Sequence, residues 1–178
     1  MPSTIPIEVV PYDPRWPELY ELEKASLLPA FGDSLCCIEH IGSTAVPGLA
    51  AKPVIDILAG VRSLLEAPIF IPALLALGYE YIQKHEAVFP ERRYLHKIVN
   101  GRHTHHLHIV EPESDFFKVQ ILFRDYLRTH PEDAARYADL KYRLAQKYRN
   151  DREAYTDGKS QLIQEILRAA RQQLQSNR

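Results

Sequence analysis

The chain has 178 residues, 46% of them hydrophobic and 25% charged, which suits a folded protein with one substantial core. Its formal net charge of −1 argues against binding driven by charge to nucleic acid or to anionic membranes. No apolar run approaches the ~20 residues that span a bilayer, and no signal peptide precedes Ile5. The expectation is therefore one cytoplasmic domain over residues 1–178.

In chain order, Ile7-Glu-Val-Val10 reads as a short strand ended by Pro11. Asp13 is placed to cap a helix whose first turn tolerates Pro14 or Pro17. Leu19, Leu22, Ala25 and Leu28 give that helix an apolar stripe, and Pro29 and Gly32 close it. The run Leu35-Cys-Cys-Ile38 reads as a buried strand. Its adjacent cysteines point to opposite faces, so buried free thiols are expected rather than a disulfide. Gly42-Ser43-Thr44, a Pro47-Gly48 loop and the strand Val54-Ile-Asp-Ile57 follow, finishing near Ala59-Gly60. An unpaired carboxylate buried between Ile55 and Ile57 would cost several kcal/mol. Asp56 must then face a cleft or hold a cationic or metal partner.

The stretch from Ser63 to Leu77 reads as helical, broken into pieces by Pro68 and Pro72. Gly78 opens a strand from Tyr79 to Ile82, and residues 84–91 form a loop bordering the site. Arg93 to Val99 is a strand, Asn100-Gly101 a hairpin turn, and His105 to Val110 the returning strand. Ser114 caps a helix from Asp115 to Arg128, and a second runs from Pro131 to about Tyr148. A third runs from Asn150 or Asp151 to about Leu174, weak at Gly158, before a frayed Ser176-Asn-Arg tail. Strands first and helices last predict an α/β (α+β) fold. Its mixed sheet would lie in residues 5–112, with a helical C-terminal layer in residues 113–175.

The chemistry gathers around the same stretches. A Gly at position 42 lets a phosphate approach the backbone, Ser43 and exposed N–H groups bind it, and Asp56 holds a cation. Five of the eight histidines lie between His96 and His108. Strand alternation places His106 and His108 on one face, where with Asp56 they would offer two imidazoles and a carboxylate. That set suits Zn, Mn or Fe(II) better than Mg; alternatively both histidines donate to phosphate or to backbone carbonyls. His40 reads as a fourth ligand, an acid/base group or a satisfied histidine at a strand end. His103 and His105 read as solvated, and His85 and His130 as surface residues.

Lys52 is placed to reach a phosphate. Arg93 and Arg124 are candidate phosphate forks, against surface pairing with Asp125, Glu111 or Asp115. On the strand of Arg93, either that residue with Leu95 and Lys97, or Tyr94 with His96 and Ile98, meets the cleft. Tyr137, Leu140, Leu144 and Tyr148 follow helical spacing as a buried face, with Asp139, Lys141 and Arg143 on the solvated one. Tyr155 and Lys159, four apart, either line the cleft or pack on each other.

His40-Ile-Gly-Ser-Thr-Ala-Val-Pro-Gly-Leu49 and Lys52-Pro-Val-Ile-Asp-Ile57 resemble the signature of the GrpB family, within the nucleotidyltransferase-fold superfamily. The likeness continues through Val10-Pro-Tyr-Asp-Pro-Arg-Trp-Pro17, His105-His-Leu-His108, Phe123-Arg-Asp-Tyr-Leu-Arg128 and Asp151-Arg-Glu-Ala-Tyr155. The resemblance implies a nucleotidyltransferase-like sheet, a small-molecule or nucleotide substrate, and a divalent metal (Mg, Mn or Zn). Gly42, Ser43 and Thr44 would hold phosphates, Asp56 the metal, and His106 or His108 a second ligand or the general base. Nucleotidyltransferases typically carry a second acid two residues after the first, where this chain has Leu58. Three functions stay in view. They are metal-assisted transfer of a nucleotidyl or phosphoryl group, a nucleotide- or metabolite-binding module, and a metal-dependent hydrolase using the two histidines and Asp56. For the second, a domain of this family is fused to dephospho-coenzyme A kinase in some actinobacteria. Neither nucleic acid nor membrane is an expected partner, and a homodimer is one assembly left open.

Overall fold

Five strands form one mixed sheet in the computed structural model, which describes residues 6–176. They are β1 (Leu35–Ile41), β2 (Ile55–Val61), β3 (Tyr79–Tyr81), β4 (Arg93–Val99) and β5 (Arg102–Val110), in the order β1-β2-β5-β4-β3. Only β2 and β5 run parallel; the other pairs are antiparallel. Asn100 and Gly101 take φ of 51° and 76°, the doubly positive turn that matches strand twist in a two-residue hairpin. That tight turn starts β5 at Arg102, three residues before the expected position.

Alternation along β2 decides what each face does. Ile55, Ile57, Ala59 and Val61 face one side, with Leu95, Leu107 and Ile109 from the neighbouring strands. They form the main core under α1 (Trp16–Phe31) and α2 (Ala67–Ala76). Asp56, Leu58 and Gly60 face the other side. There Leu58, Ile41 and Val110 pack under Phe116, Phe117 and Ile121 of α3 (Asp115–Thr129). Helices α4 (Pro131–Lys147), α5 (Arg152–Asp157) and α6 (Ser160–Ser176) complete that layer. The loop after β1 joins it through Val46 and Leu49, which pack with Leu127, Tyr137 and Ile166. The mixed sheet and helical C-terminal layer expected from sequence are present.

Several local expectations are corrected. The buried face of α1 is Trp16, Tyr20, Leu27 and Phe31, while Leu19, Leu22 and Leu28 are exposed. The aromatic side chains bury more surface than the leucines, and the one polar position on their stripe, Glu23, is paired to Tyr79 and Lys97. The helix runs through Pro29 to Phe31. The Ser63–Leu77 stretch does divide, into a 3-10 turn, Leu64–Glu66, and α2, but Pro68 sits in the first turn of α2 and the helix runs unbroken through Pro72. Ile7 to Val10 makes only one bridge, Val10 to Ala51, rather than a strand. The loop after β3 contains a 3-10 turn, Gln83–Ala87. The cysteines are free as expected but not buried: Cys36 is exposed and Cys37 half-buried, where the β1 register shifts. The break at Gly158 is real: α5 ends at Asp157 and α6 starts at Ser160. Asn177 and Arg178 of the expected frayed tail lie outside the described residues. Among those described, no helix is long and apolar enough to cross a membrane.

Candidate functional site

A cleft of about 370 Å³ opens where Asp56, His106 and His108 leave the sheet toward the C-terminal helices. Its floor begins at Gly42, which ends β1 with φ 70° and ψ −170°. That region is essentially restricted to glycine, and a Cβ there would lie 2.4 Å from Asp56 Oδ2. The glycine expected to admit a phosphate therefore also makes room for the Asp56 carboxylate. Ser43 follows it into a short 3-10 turn, Ser43–Ala45.

Asp56 and His106 are direct partners in the parallel β2–β5 pairing, with Asp56 Oδ1 2.9 Å from His106 Nδ1. An ionised carboxylate only accepts, so Nδ1 carries the proton and Nε2 is left to take or give one. Burial works to raise the Asp56 carboxyl. The His106 hydrogen bond, helped by the Lys52 ammonium, outweighs it and holds Asp56 below the usual carboxylate value. His108 lies further along the same face, 5.2 Å from the Tyr94 ring and 5.5 Å from Phe116. Burial pushes it down to about 3, so it is a neutral imidazole, and its buried Nδ1 has no hydrogen-bond partner among the described residues.

Three lysines form the opposite wall. Lys141 is 3% exposed and its Nζ donates to Ser43 Oγ at 2.9 Å and to the Ala50 carbonyl. Lys52 and Lys159 stand over the ring of Tyr155, at 5.4 and 4.6 Å from its centroid. The Tyr155 hydroxyl is buried with no hydrogen-bond partner among the described residues. Burial, then repulsion from Lys159, brings Lys141 down to about 7. Burial and Lys52 bring Lys159 down to about 8, and Lys52 is also lowered by burial. In each case Asp56 pulls the other way. Three ammonium groups thus share one lining carboxylate, and their mutual repulsion would be relieved by an anion between them.

The other sequence candidates go elsewhere. His40 pairs opposite Ile57, on the α1 face, where it stacks on Tyr20 at 4.7 Å and bonds Thr44 Oγ1 at 2.9 Å. It is the satisfied histidine at a strand end, held neutral by burial at about 4. Thr44 edges the cleft, but its hydroxyl is occupied by His40 and the Val54 carbonyl. Arg93 leaves the cleft for Glu86 and the Pro90 carbonyl, because the Tyr94–His96 face of β4 is the one that meets it. Arg124 is 8% exposed and ties α3 to β1 through Glu39, the His40 carbonyl and its neighbour Asp125. His103 and His105 are half-buried rather than solvated.

A metal ion was expected on Asp56, His106, His108 and His40. The first two are bonded to each other, and His40 is on the opposite face. Among the described residues no three His, Cys, Asp or Glu side chains are disposed to hold an ion.

Lys141 is the main residue that sequence reasoning missed, having been placed on the solvated side of its helix. The signal was present: Tyr137, Lys141, Leu144 and Tyr148 are spaced by four, three and four, so the lysine interrupts the buried stripe itself. Lys159 and Tyr155 do both line the cleft and pack on each other. The chain bends between them at Gly158 rather than continuing one helix.

Residues 6–169 match the model of the GrpB protein family. A UPF0157 protein of Pseudomonas aeruginosa is 40% identical over 166 residues, covering 90% of this chain and 66% of that protein. The UPF0157 protein YqkA of Bacillus subtilis is 40% identical over 157 residues, 88% of this chain and 45% of its own length. The chain therefore spans less than two thirds of either relative. The crystal structure of the conserved protein GrpB from Enterococcus faecalis superposes with a TM-score of 0.86 at 34% identity. The overlap covers 94% of this chain and 99% of that one. A dephospho-CoA kinase of Mycolicibacterium paratuberculosis is 31% identical over 188 residues, 93% of this chain and 46% of the kinase.

Proposed function

This chain belongs to the GrpB family, and from that premise we propose that its cleft binds a phosphate-bearing small molecule of the nucleotide class. The observation that carries the reading is the wall of three lysines, Lys52, Lys141 and Lys159, facing the Gly42-Ser43 turn. A buried cluster of like charges is costly unless a counter-ion joins it, and a phosphate brings two charges and three acceptor oxygens. Ser43, the lysine ammonium groups and the Tyr155 hydroxyl supply the donors. The similarity of this chain to part of a dephospho-CoA kinase supports a setting in nucleotide chemistry.

Titration calorimetry with inorganic pyrophosphate and with nucleotides tests the reading. Each charge-assisted hydrogen bond is worth ~1.5–3 kcal/mol, so Lys159→Met should weaken binding about 10–100-fold. Unchanged affinity in that variant would remove the reading.

A second reading, transfer of a nucleotidyl or phosphoryl group, is favoured by the Asp56–His106 hydrogen bond. A carboxylate holding Nδ1–H fixes the imidazole so that Nε2 can accept a proton from an attacking hydroxyl. In that chemistry the hydroxyl oxygen forms a bond to phosphorus, the bond to the leaving oxygen breaks, and His106 takes the proton. The resemblance to nucleotidyltransferases supports the same reaction class, with lysines in place of metal as the groups that neutralise the phosphate. Asp56→Asn should retain pyrophosphate binding and lose turnover; a variant that turns over at the parent rate would leave only the binding reading.

A further inference from the structure

A second cavity, of about 160 Å³, adjoins the lysine cleft along Lys52, Val54 and His106. Its lining carries more hydrocarbon than polar surface, from Pro6, Ile7, Pro53 and Val54, with Glu8, Arg102, Arg152, His103 and Thr104 completing it. An anion needs no such walls, since a phosphate oxygen against proline and valine loses its hydration without gaining a donor. Flat rings do use them, because proline and aliphatic side chains lie against a ring face. A cavity of ~150 Å³ takes a benzene-sized ring, so this one has room for one six-membered ring but not for two fused rings fully enclosed. Polar groups line it as well, among them Arg152 and an ion pair of Arg102 with Glu8 at 3.5 Å. The imidazole of His103 stands between those of His96 and His106, at 4.6 and 5.4 Å between ring centroids. Its Nδ1 is buried with no hydrogen-bond partner among the described residues. Burial and the neighbouring His106 and His96 push His103 down to about 4, so it is neutral and offers one donor and one acceptor.

Resting on the reading of the cleft as a phosphate site, we infer that the ligand carries a single heteroaromatic ring seated in this adjoining cavity. A short polar linker such as a sugar joins that ring to phosphate held by the lysines, as in a pyrimidine nucleotide. Lys52 and His106, which border both cavities, lie at the junction where such a linker would pass.

Titration calorimetry with inorganic pyrophosphate, ribose 5-phosphate, UMP and AMP separates this inference from the reading beneath it. UMP should bind at least tenfold more tightly than ribose 5-phosphate and more tightly than AMP. Thr104→Phe, which fills the cavity, should erase the advantage of UMP while leaving ribose 5-phosphate within twofold. If that variant fails to fold, His103→Trp adds bulk from the neighbouring wall position and should do the same. Should UMP gain nothing over ribose 5-phosphate on protein that binds pyrophosphate, the ring site is wrong and the phosphate cleft stands. AMP binding more tightly than UMP would overturn the single-ring limit. Failure of all four compounds to bind would overturn the phosphate cleft and this inference together.

Discussion

The lysine wall makes ligand binding a titration, and the sign of its pH dependence follows from Lys141 at about 7 and Lys159 at about 8 in the free protein. A phosphate between them favours the protonated forms, so binding takes up protons. In the limit where the ligand restores both to the ordinary lysine value of 10.5, affinity falls between pH 7 and pH 9. The loss is about 50-fold through Lys141 and about 10-fold through Lys159, or about 500-fold together as an upper limit. The ligand-free protein should respond oppositely. Both folded values lie below the ordinary one, so the cost of burying these charges is full below pH 7 and fades as pH rises toward 10.5. Stability without ligand therefore rises with pH through that window, by up to ~1.4 kcal/mol per pH unit for each lysine. Calorimetry in buffers of differing ionisation enthalpy reads the proton uptake directly, and urea unfolding at pH 7, 8 and 9 reads the stability. Lys159→Met should remove about one decade of the binding slope. Affinity that is flat between pH 7 and 9, or proton release on binding, would refute the reasoning.

Gly42→Ala must place a methyl group 2.4 Å from Asp56 Oδ2 in a backbone region reserved for glycine. It should cost about 1–3 kcal/mol in urea unfolding and weaken pyrophosphate binding, whereas alanine at the exposed Leu22 should do neither. Arg124→Met should cost about 1–3 kcal/mol through the unpaired His40 carbonyl. Its pyrophosphate affinity should stay within twofold, because this guanidinium is a clamp between α3 and β1; a large loss of affinity would return Arg124 to the ligand site. Tyr155→Phe removes a buried hydroxyl with no hydrogen-bond partner among the described residues. It should leave the free protein as stable or slightly more so, while reducing the gain in melting temperature from saturating pyrophosphate.

What was legible in the sequence was local. Asn100-Gly101 announced its hairpin, Ser114 its helix cap at Phe117 N, Pro131 its helix start, and Gly158 its break, because each acts within a few residues. Asp56 and His106 could be placed on one face by strand period alone. What stayed hidden depended on partners far along the chain. The buried face of α1 includes Glu23, a polar residue whose place there makes sense only once Tyr79 and Lys97 are beside it. Lys141 reads as surface until the Ser43–Ala50 loop, about 90 residues earlier, supplies acceptors for its ammonium group. Arg93 and Arg124 read as ligand forks because their carboxylate and carbonyl partners likewise come from distant or irregular segments. Of the three readings of His40, sequence could not choose the satisfied histidine, because only the register shows that the last residue of β1 facing the cleft is Ile41, opposite Asp56.

Leu58 gives the lysines their meaning. It stands two residues after Asp56, on the same face, where nucleotidyltransferases carry a second acid. Here it is fully buried with Ile41 and Val110 beneath Phe116, Phe117 and Ile121. A carboxylate at that depth would face hydrocarbon, so the position is closed to metal chemistry by the packing of α3 as well as by the side chain itself. Among the described residues Asp56 is the one carboxylate lining the cleft and is bonded to His106, while Glu39, opposite Leu58 on the same face, is held by Arg124. A bound phosphate would therefore have its negative charge met by other means. Lys52, Lys141 and Lys159 are those means. They come from the strand entry, from α4 and from the bend after α5, so the C-terminal layer that covers Leu58 through α3 also brings two of the three cations to the cleft.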